Sequence, residues 1–286
     1  MNVNGALDVK LGCMEFLTEV SMNDIVLLSE TWTDVHTTLD INGFCTPFTK
    51  HRVKKRRAKR NSGGLVCYFK SDIINGVSSI PWNFEDGLCF KLEKSFFGWE
   101  EDLFIIFVYM RPNSSTREHM NVDLNGFDSL IELIAKVRGE GSIMICGDFN
   151  ARVGKTDECI ILSKEEMLLK ESEEDMFNIH AAPYENVIFT EDLLLNDMSV
   201  TRYNCDSSTN DYGNKLLSLT YACDLIMMNG RQAGDREGKM TFINHRGESA
   251  IDFVLCDRLS LYKLKDFCVQ DANVFSDHIY SGSLTI

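Results

Sequence analysis

The stretch SIMICGDFNAR, residues 142–152, places a cluster of polar side chains directly after an apolar strand. Residues 142–146 are predicted to form a buried strand, and Gly147 allows the chain to turn tightly as it leaves that strand. Asp148 and Asn150 are two residues apart, so in an extended chain their side chains point the same way. They combine a potential general base with an amide that can both donate and accept hydrogen bonds. A simple polar turn is the alternative, and this order of six residues, 147–152, disfavours it.

Outward from this stretch, short apolar strands alternate with helical stretches, which predicts one α/β sandwich in a single domain over residues 1–286. Residues 2–4 resemble the tail of a strand whose earlier part is truncated. The other predicted strands cover residues 24–29, 65–69, 87–92, 103–109, 142–146, 224–228, 240–243, 250–255 and 280–286. The predicted helices cover residues 6–20, 124–137 and 214–223.

The composition sets limits on the class of protein. The chain has 286 residues and four prolines, which disfavours long disorder. Its longest apolar run, residues 103–110, is too short to span a bilayer, which needs about 20 residues, so we expect no membrane association. Ten cysteines occur without a Cys-x-x-Cys spacing, and no secretory signal is readable at the N-terminus. We therefore expect reduced core cysteines in an intracellular protein, and no zinc site.

The charge is unevenly distributed along the chain. The net charge of −14 argues against a simple cationic nucleic-acid binder. Residues 155–197 carry twelve acids against three lysines and are predicted to form a helix-containing surface insertion. Residues 50–60 carry eight Lys or Arg and no acid. That basic run could contact DNA phosphates, act as a nuclear localisation signal, or be a solvated loop.

Two further residues at strand ends carry groups useful for phosphate chemistry. Glu30 follows an apolar strand, where its carboxylate could hold a hard cation, although a solvated strand-end acid is the alternative. Tyr109 ends another strand, and its hydroxyl could reach a phosphate oxygen. A boundary aromatic with a solvated hydroxyl explains Tyr109 equally well.

An acid inside an apolar strand suggests a second reactive group. Asp252 lies within residues 250–255, and burying an unpaired carboxylate is costly, so it needs a partner. His278, in Ser276-Asp277-His278, is the obvious candidate. An aspartate beside the imidazole would select its tautomer and favour its charged form. Asp277 could hold a metal ion or a bridging water, whereas a purely structural histidine is the alternative.

Taken in order, these stretches resemble the endonuclease/exonuclease/phosphatase superfamily, and within it the apurinic-type endonuclease domain of LINE-type (non-LTR) retrotransposons. The resemblance covers nearly the whole chain. It rests on NVNG at residues 2–5, IVLLSETW at 25–32, SGGLV at 62–66, VY at 108–109, GDFNAR at 147–152, MTF at 240–242, SAIDFVL at 249–255 and SDH at 276–278.

The resemblance implies a four-layer α-β-β-α sandwich, DNase I-like, and a DNA-cleaving phosphodiesterase that uses Mg²⁺, with Mn²⁺ as an alternative. It implies that Glu30 is the main metal ligand, with Asn2 and Asp277 near the ion. Asp148 would activate water and Asn150 would align it. His278, oriented by Asp252, would stabilise phosphoryl charge together with Tyr109. The implied substrate-binding and supporting positions are Asn4, Arg152, Thr241 and Ser249.

Several alternatives and departures accompany this resemblance. Abasic-site cleavage, exonuclease or small-phosphoester phosphatase activity would use the same residues, and an inactive DNA- or protein-binding module is a third reading. The sequence after Tyr109, Met-Arg-Pro-Asn, is one residue longer than the common Ala-Pro-Asn form. Asn4 replaces the acid that repair enzymes carry. We expect DNA as the partner, no obligate protein partner, and a nuclear location.

Overall fold

The computed structural model describes residues 1–52, 54, 61–112, 117–168, 188–271, 274–279 and 281–285. Its strands β1 to β15 are Ile25–Ser29, Phe48–Lys50, Leu65–Phe69, Val77–Ser79, Gly87–Leu92, Asp102–Tyr109, Gly141–Asp148, Ile161–Leu162, Ile188–Phe189, Ile226–Met227, Phe242–Asn244, Gly247–Ser249, Asp252–Cys256, Asp266–Val269 and Ser281–Thr285. Helices α1 to α7 are Leu7–Lys10, Met14–Ser21, Lys94–Phe97, Arg117–Val137, Thr190–Leu195, Asp211–Ala222 and Arg258–Leu261.

The larger sheet has six strands in the order β10-β13-β7-β6-β5-β4. Strands β6 and β7 pair in parallel, whereas the other neighbours in this sheet are antiparallel. Both faces of this sheet are covered, which explains why its central strands read as nearly continuous apolar runs. The smaller sheet has the antiparallel order β1-β3-β2. Asn2 joins its edge by a parallel bridge to Ser29.

Side chains alternate between the two faces of each strand and so build three apolar layers. Between the sheets, Cys67 and Phe69 of β3 pack in one cluster with Phe90 of β5. On the outer face of the larger sheet, helices α4 and α6 cover the apolar residues of β6 and β7. On the outer face of the smaller sheet, α1 and α2 contribute Leu7 and Phe16. The arrangement is a four-layer α-β-β-α sandwich, which confirms the fold predicted from the sequence.

The predicted helix over residues 6–20 is interrupted. Two helices, Leu7–Lys10 and Met14–Ser21, replace it, because the chain turns between them. In this turn the Gly12 N–H donates to the carbonyl of Val9 and the Cys13 N–H donates to that of Lys10. The apolar spacing continues through the turn, so periodicity alone did not reveal the break. The predicted strand at residues 224–228 is also shorter than expected, at Ile226–Met227.

The acidic segment at residues 155–197 is anchored in the core at both ends. Glu158 is fully buried, and its carboxylate accepts hydrogen bonds from Arg202 and Arg231. Ile188 and Phe189 of β9 are buried as well. Residues 169–187 lie outside the described part of the chain. The described flanks of this segment are therefore part of the domain's packing as well as of its surface.

The structure bears on two expectations from the composition, which concern membrane-spanning helices and the cysteines. None of the helices in the described residues is long and apolar enough to cross a membrane. All ten cysteines lie in the described residues, and no disulfide joins them. Cys67 and Cys256 are fully buried in strands, as their apolar surroundings predict.

Candidate active site

One cavity of about 460 Å³ lies where the loops from both sheets meet. It gathers ten of the twelve site residues predicted from the sequence. These are Asn2, Asn4, Glu30, Tyr109, Asp148, Asn150, Arg152, Ser249, Asp277 and His278. The other two, Thr241 and Asp252, are buried behind this wall. Residues widely separated along the chain therefore converge on one site.

Asp148 and Asp252 lie directly opposite each other in the antiparallel β7–β13 ladder. His278 contacts both carboxylates. Its Nδ1 is 2.9 Å from Asp252 Oδ2, and its Nε2 is 3.8 Å from Asp148 Oδ2. All three side chains are buried. Asp252 is thus bonded to His278, the partner that the sequence predicts for it.

The loop that carries His278 is held by its own hydrogen bonds. The His278 N–H donates to Ser276 Oγ at 2.9 Å, and that hydroxyl donates to the Asn2 carbonyl at 2.5 Å. On the other side, the Phe242 ring packs edge-on against the imidazole, with ring centroids 4.9 Å apart. Ser276 therefore connects the histidine loop to the N-terminal segment and fixes the position of the ring.

Burial and neighbouring charge shift the pKa values of two of these groups. Burial raises the pKa of Asp148 to about 7, and the Asp252 carboxylate adds to this effect, while His278 and hydrogen bonds oppose it. Burial opposes the charged form of His278, but the contact with Asp252 and the charge of Asp148 outweigh it. They raise the pKa of His278 to about 9. At neutral pH the site thus combines a charged imidazolium with a carboxylate poised to exchange a proton.

Asn150 and Asp148 are held together by the turn after β7. Asn150 has a left-handed backbone, with φ of 49°. Its N–H donates to Asp148 Oδ1 at 3.0 Å, and its side-chain Nδ2 donates to the Met110 carbonyl at 2.7 Å. Both side chains line the cavity, in agreement with their spacing of two in the sequence. The bond from the Asn150 N–H to Asp148 Oδ1 is itself typical of a polar turn, and this turn directs both side chains onto the cavity.

Asn2 links the N-terminal segment to the same carboxylate. Its Nδ2 donates to Asp148 Oδ2 at 3.0 Å, and its Oδ1 accepts the Asn4 N–H at 2.9 Å. The Asn4 side chain in turn lies 3.5 Å from an oxygen of Asp277. These contacts bring the predicted metal-binding positions Asn2 and Asp277 to one side of the cavity.

Glu30 is oriented by three donors. The Trp32 indole N–H donates to Glu30 Oε2 at 2.6 Å, and the Gly63 N–H reaches the same oxygen at 3.2 Å. The Tyr109 hydroxyl donates to the other oxygen, Oε1. Burial and the carboxylates, Glu30 first among them, raise the pKa of Tyr109, so its phenol remains protonated. The Trp32 ring lies against Gly5, where a Cβ would approach it to 1.9 Å.

Two groups of side chains could hold a cation. Ligand atoms of Asp148, Asp252 and His278 lie within 4.8 Å of one another. In this group Nδ1 of His278 is bonded to Asp252, which leaves its Nε2 as the ligand atom. The oxygen donors Glu30, Asn2 and Asp277 suit a hard divalent cation. Both the oxygen donors and the Asp–Asp–His cluster are therefore candidate cation ligands at this cavity.

The positions predicted to bind substrate or support the site have different surroundings. Arg152 lines the cavity, with its guanidinium bonded to Asp206 at 2.7 and 2.8 Å. Ser249 also lines the cavity. Thr241 is fully buried, and its hydroxyl accepts the N–H groups of Ile251 and Asp252 at 3.0 Å each. Thr241 therefore supports the start of β13, and its burial rules out contact with a substrate.

Sequence reasoning missed several residues of the cavity. Asn210 lines it and caps helix α6, where its Oδ1 accepts the Gly213 N–H at 2.7 Å. The pattern of an asparagine just before a helical stretch could have revealed the cap. The predicted helix began too late, at residue 214, and hid it. Phe242 and Trp32 lie within the recognised motifs, but their contacts with His278 and Glu30 came only from the structure.

Comparisons with known proteins identify the family of this chain and structures that share its fold. The family model described as the Endonuclease/Exonuclease/phosphatase family matches residues 1–278. The endonuclease domain of TRAS1, a telomere-specific non-LTR retrotransposon, is 13% identical with a TM-score of 0.52, over 98% of this chain and 93% of that chain. Among curated protein sequences, none matches this chain significantly.

Two DNA-processing enzymes share the fold at similarly low identity. A 3′ phosphatase from Neisseria, solved with a product DNA hairpin, is 15% identical with a TM-score of 0.56, over 100% of this chain and 97% of that chain. The AP endonuclease of Leishmania major is 13% identical with a TM-score of 0.61, over 97% and 84%. The family model spans nearly the whole sequence and the fold agrees with it, so this chain belongs to the endonuclease/exonuclease/phosphatase family, a family of hydrolytic nucleases and phosphatases.

Proposed function

We propose that this chain hydrolyses phosphodiester bonds in DNA with the help of a divalent cation, Mg²⁺ or Mn²⁺, and nicks one strand. The observation that carries the proposal is the contact of His278 with both Asp148 and Asp252 at a cavity that Asn150, Tyr109 and Glu30 also reach. Hydrolysis of a phosphodiester needs an activated water, a cation and donors aimed at developing negative charge. The described side chains offer a group for each of these tasks.

Asp148 is the proposed general base. Its pKa of about 7 allows it to accept a proton from water near neutral pH and to release it after each turnover. Asn150 is bonded to this carboxylate through its N–H and lines the same cavity, which suits it to align the water with the phosphorus atom. The imidazolium of His278, oriented by Asp252, supplies an Nε2 donor for the phosphoryl oxygens, and the Tyr109 hydroxyl can supply a second.

Glu30, Asn2 and Asp277 are the proposed cation ligands. A bound divalent cation would neutralise negative charge on the phosphate and help to orient it. The hydrogen bond from Trp32 and the contact with Tyr109 hold the Glu30 carboxylate toward the cavity. Cation binding has a readout that is independent of turnover. An ion that binds the folded site raises the midpoint of thermal unfolding by mass action.

DNA is the proposed substrate, and a nuclear location is proposed with it. The Neisseria relative was solved with a DNA hairpin, and this chain shares its fold. Arg152 offers a guanidinium in the cavity wall for a phosphate. The basic run at residues 50–60 supports phosphate contact and also nuclear import. Among its described residues, Arg52 lies next to the cavity wall, because its guanidinium stands over the Tyr109 ring.

A second candidate is hydrolysis of a terminal phosphoester, as in an exonuclease or a 3′ phosphatase. The same acid, base and cation groups would serve it, and the Neisseria phosphatase shares the fold. An inactive binding module is the third candidate. The full set of Glu30, Asp148, Asn150, Asp252 and His278 around one cavity opposes it, because a module without turnover has no use for a buried base beside a charged histidine.

The test is conversion of supercoiled plasmid to open circles, with Mg²⁺ or with EDTA. We expect nicking that needs the cation and is lost in His278→Ala, while His36→Ala, which changes an exposed histidine, keeps it. Thermal unfolding of each variant shows that it is folded. A folded wild-type protein that leaves the plasmid supercoiled in Mg²⁺ and Mn²⁺ would contradict the proposal.

A further inference from the structure

We propose that Arg52 and Arg111, both held by the buried carboxylate of Asp86, form a second phosphate-binding subsite on the side of the cavity opposite Arg152. With a phosphate site on each side of the catalytic centre, the preferred substrate is an internal phosphodiester of a polynucleotide rather than a terminal phosphate. This inference rests on the proposed function and specifies which phosphoester that site takes.

One buried carboxylate positions both guanidinium groups. Arg52 donates from Nε and Nη2 to Asp86 Oδ1, at 2.8 and 2.5 Å, and Arg111 donates from Nε to Asp86 Oδ2 at 2.7 Å. The Asp86 side chain is only 3% exposed. Arg111 also contacts the half-exposed Glu85. Lys50 lies near both carboxylates, with its Nζ bonded to the carbonyls of Trp82 and Phe84. Three cations thus face two anions, which leaves positive charge at this point, and hydrogen bonds of this charged kind are strong.

The two arginines lie against the wall of the candidate active site. The Arg52 guanidinium stands over the Tyr109 ring, 5.2 Å from its centroid, and Tyr109 lines the cavity. Gly63 makes room for this guanidinium, since a Cβ at that position would approach Arg52 Cζ to 2.4 Å. Arg111 directly precedes Pro112, another residue of the cavity wall. Arg111 belongs to the stretch after Tyr109 that departs from the common pattern.

Each guanidinium keeps donors for a ligand. An arginine has five N–H donors, and within the described part of the chain the Nη1 groups of Arg52 and Arg111 make no hydrogen bond. The two side chains are 15% and 20% exposed, so both reach solvent. Because Asp86 already fixes them, binding a phosphate would cost little additional side-chain entropy. Arginines held in this way are pre-organised for an anion.

The sheet order places this subsite and Arg152 on opposite sides of Asp148. Asp86 directly precedes β5, which lies beyond β6 on one side of β7. Arg152 is held by Asp206, whose carboxylate also accepts the Ala250 N–H at 3.1 Å, just before β13 on the other side of β7. Three strand spacings separate β5 from β13, or roughly 14 Å. A strand that continues in both directions from the reacting phosphate can contact both cationic positions, whereas a terminal phosphate cannot.

The experiment compares Arg52→Gln and Arg111→Gln with the wild type on three substrates. These are a DNA duplex with internal phosphodiesters, a duplex ending in a 3′-phosphate, and bis(p-nitrophenyl) phosphate, which has no flanking phosphates. Each single substitution leaves Asp86 bonded to the other arginine, and thermal unfolding verifies the fold. In both variants we expect kcat/KM on internal phosphodiesters to fall about tenfold or more, mainly through a higher KM. We expect kcat/KM on the small diester to change less than twofold.

Arg258→Gln is the matched control. Arg258 is also bonded to a buried aspartate, Asp192, and also stands over an aromatic ring, that of Phe189 at 4.6 Å. It follows the far end of β13, away from the cavity, since Cys256 pairs there with Met144 in β7. Removal of this equivalent charge should leave kcat/KM on all three substrates within twofold of the wild-type value.

The salt dependence of DNA binding gives a readout that does not need turnover. Each phosphate that a variant no longer neutralises should reduce the slope of log K against log salt by about one, so both variants should show a shallower slope and Arg258→Gln should not. Wild-type slopes in Arg52→Gln and Arg111→Gln, or an equal loss on the small diester, would overturn the subsite. A wild type that binds DNA through these arginines but hydrolyses none of the three substrates would overturn the proposed function and leave the subsite in place.

Discussion

Asp148 and Asp252 are paired across the β7–β13 ladder, and the single imidazole of His278 lies against both carboxylates. Two buried acids thus lie against one imidazole, and the buried ammonium of Met1 is within electrostatic reach of both. Burial of the charged Asp148 carboxylate destabilises the folded chain, because its neighbours offset the lost hydration only in part. The arrangement has a chemical use, because it keeps the pKa of Asp148 near 7, where it can act as a base.

Asp148→Asn should therefore abolish hydrolysis and at the same time stabilise the protein in EDTA. The pKa of this carboxyl is higher in the folded chain than in the unfolded chain. The free energy of unfolding therefore falls as the pH rises from the ordinary pKa near 3.8 to the folded pKa of about 7. We expect the free energy of unfolding to rise by about 1 kcal/mol or more at pH 8, which corresponds to roughly 2–4 °C in the midpoint of thermal unfolding, and to rise less at pH 5. Differential scanning calorimetry at both pH values measures it.

Asp206→Asn is the matched comparison and should have the opposite effect. Burial opposes ionisation of Asp206, but hydrogen bonds from Arg152 and backbone N–H groups outweigh it and lower its pKa. Its charged form thus stabilises the fold above pH 4, and this contribution is lost as the pH falls through the lowered value. Equal stability changes of the same sign in both variants would contradict the view that burial of the Asp148 charge destabilises the fold.

Asp252→Asn tests the positioning role of the second carboxylate. The amide keeps the shape of the side chain but loses the charge that favours the imidazolium, so the pKa of His278 should fall from about 9 toward its ordinary value near 6.5. We expect kcat to fall roughly 10²–10⁴-fold with little change in KM. NMR titration of the histidine provides the second readout. An unchanged pKa with normal turnover would show that Asp252 is merely structural.

Trp32→Phe should weaken cation binding and leave the fold intact. The phenyl ring keeps most of the packing against Gly5 but removes the N–H that donates to Glu30 at 2.6 Å. Loss of a bond that orients a metal ligand costs about 10–100-fold in metal affinity. Thermal shift against Mg²⁺ concentration measures it. Trp82→Phe is the control, because that indole donates to Ser129 at 3.0 Å, away from the cavity. Equal Mg²⁺ affinity in both variants would exclude the role given to Trp32.

Local patterns singled out the candidate site residues, and the ordered resemblance to the family gave them roles. Tyr109 and Asp148 each end an apolar strand and Glu30 directly follows one, and such signals are contained in a few neighbouring residues. The groups that hold these side chains were not predictable in this way. Asp206 binds an arginine 54 positions away, and Asp86 binds one 34 positions away, so only the folded chain brings them together. A buried aspartate and a surface aspartate look alike in a sequence.

Glu158→Gln should cause a large loss of stability. Glu158 is fully buried between Arg202 and Arg231, whose side chains are each 2% exposed. Removing its charge leaves two buried cations without their anion, and breaking such a buried pair costs about 3–5 kcal/mol. Urea unfolding measures the loss. Glu165→Gln changes an exposed acid in the same segment and should stay within about 0.5 kcal/mol of the wild type. Similar small losses in both would mean that solvent reaches Glu158.

The side-chain amide of Asn210 both caps a helix and holds the loop of Asn150, so we expect it to affect stability and activity. Its Oδ1 accepts the N–H groups of Gly213 and Arg152, at 2.7 and 2.9 Å, and its Nδ2 donates to the Asn150 carbonyl at 3.0 Å. Asn210→Ala should lose the helix cap, at about 1–2 kcal/mol, and should also lower kcat because the loop of Asn150 is released.

Asn210→Asp separates these two effects. The carboxylate can still accept both N–H groups and favours the N-terminus of helix α6, so thermal stability should return nearly to that of the wild type. It has no N–H to offer the Asn150 carbonyl, so kcat should remain low. If the aspartate variant recovers stability and turnover together, the bond from Asn210 to Asn150 has no part in positioning the water, and the cap alone explains the residue.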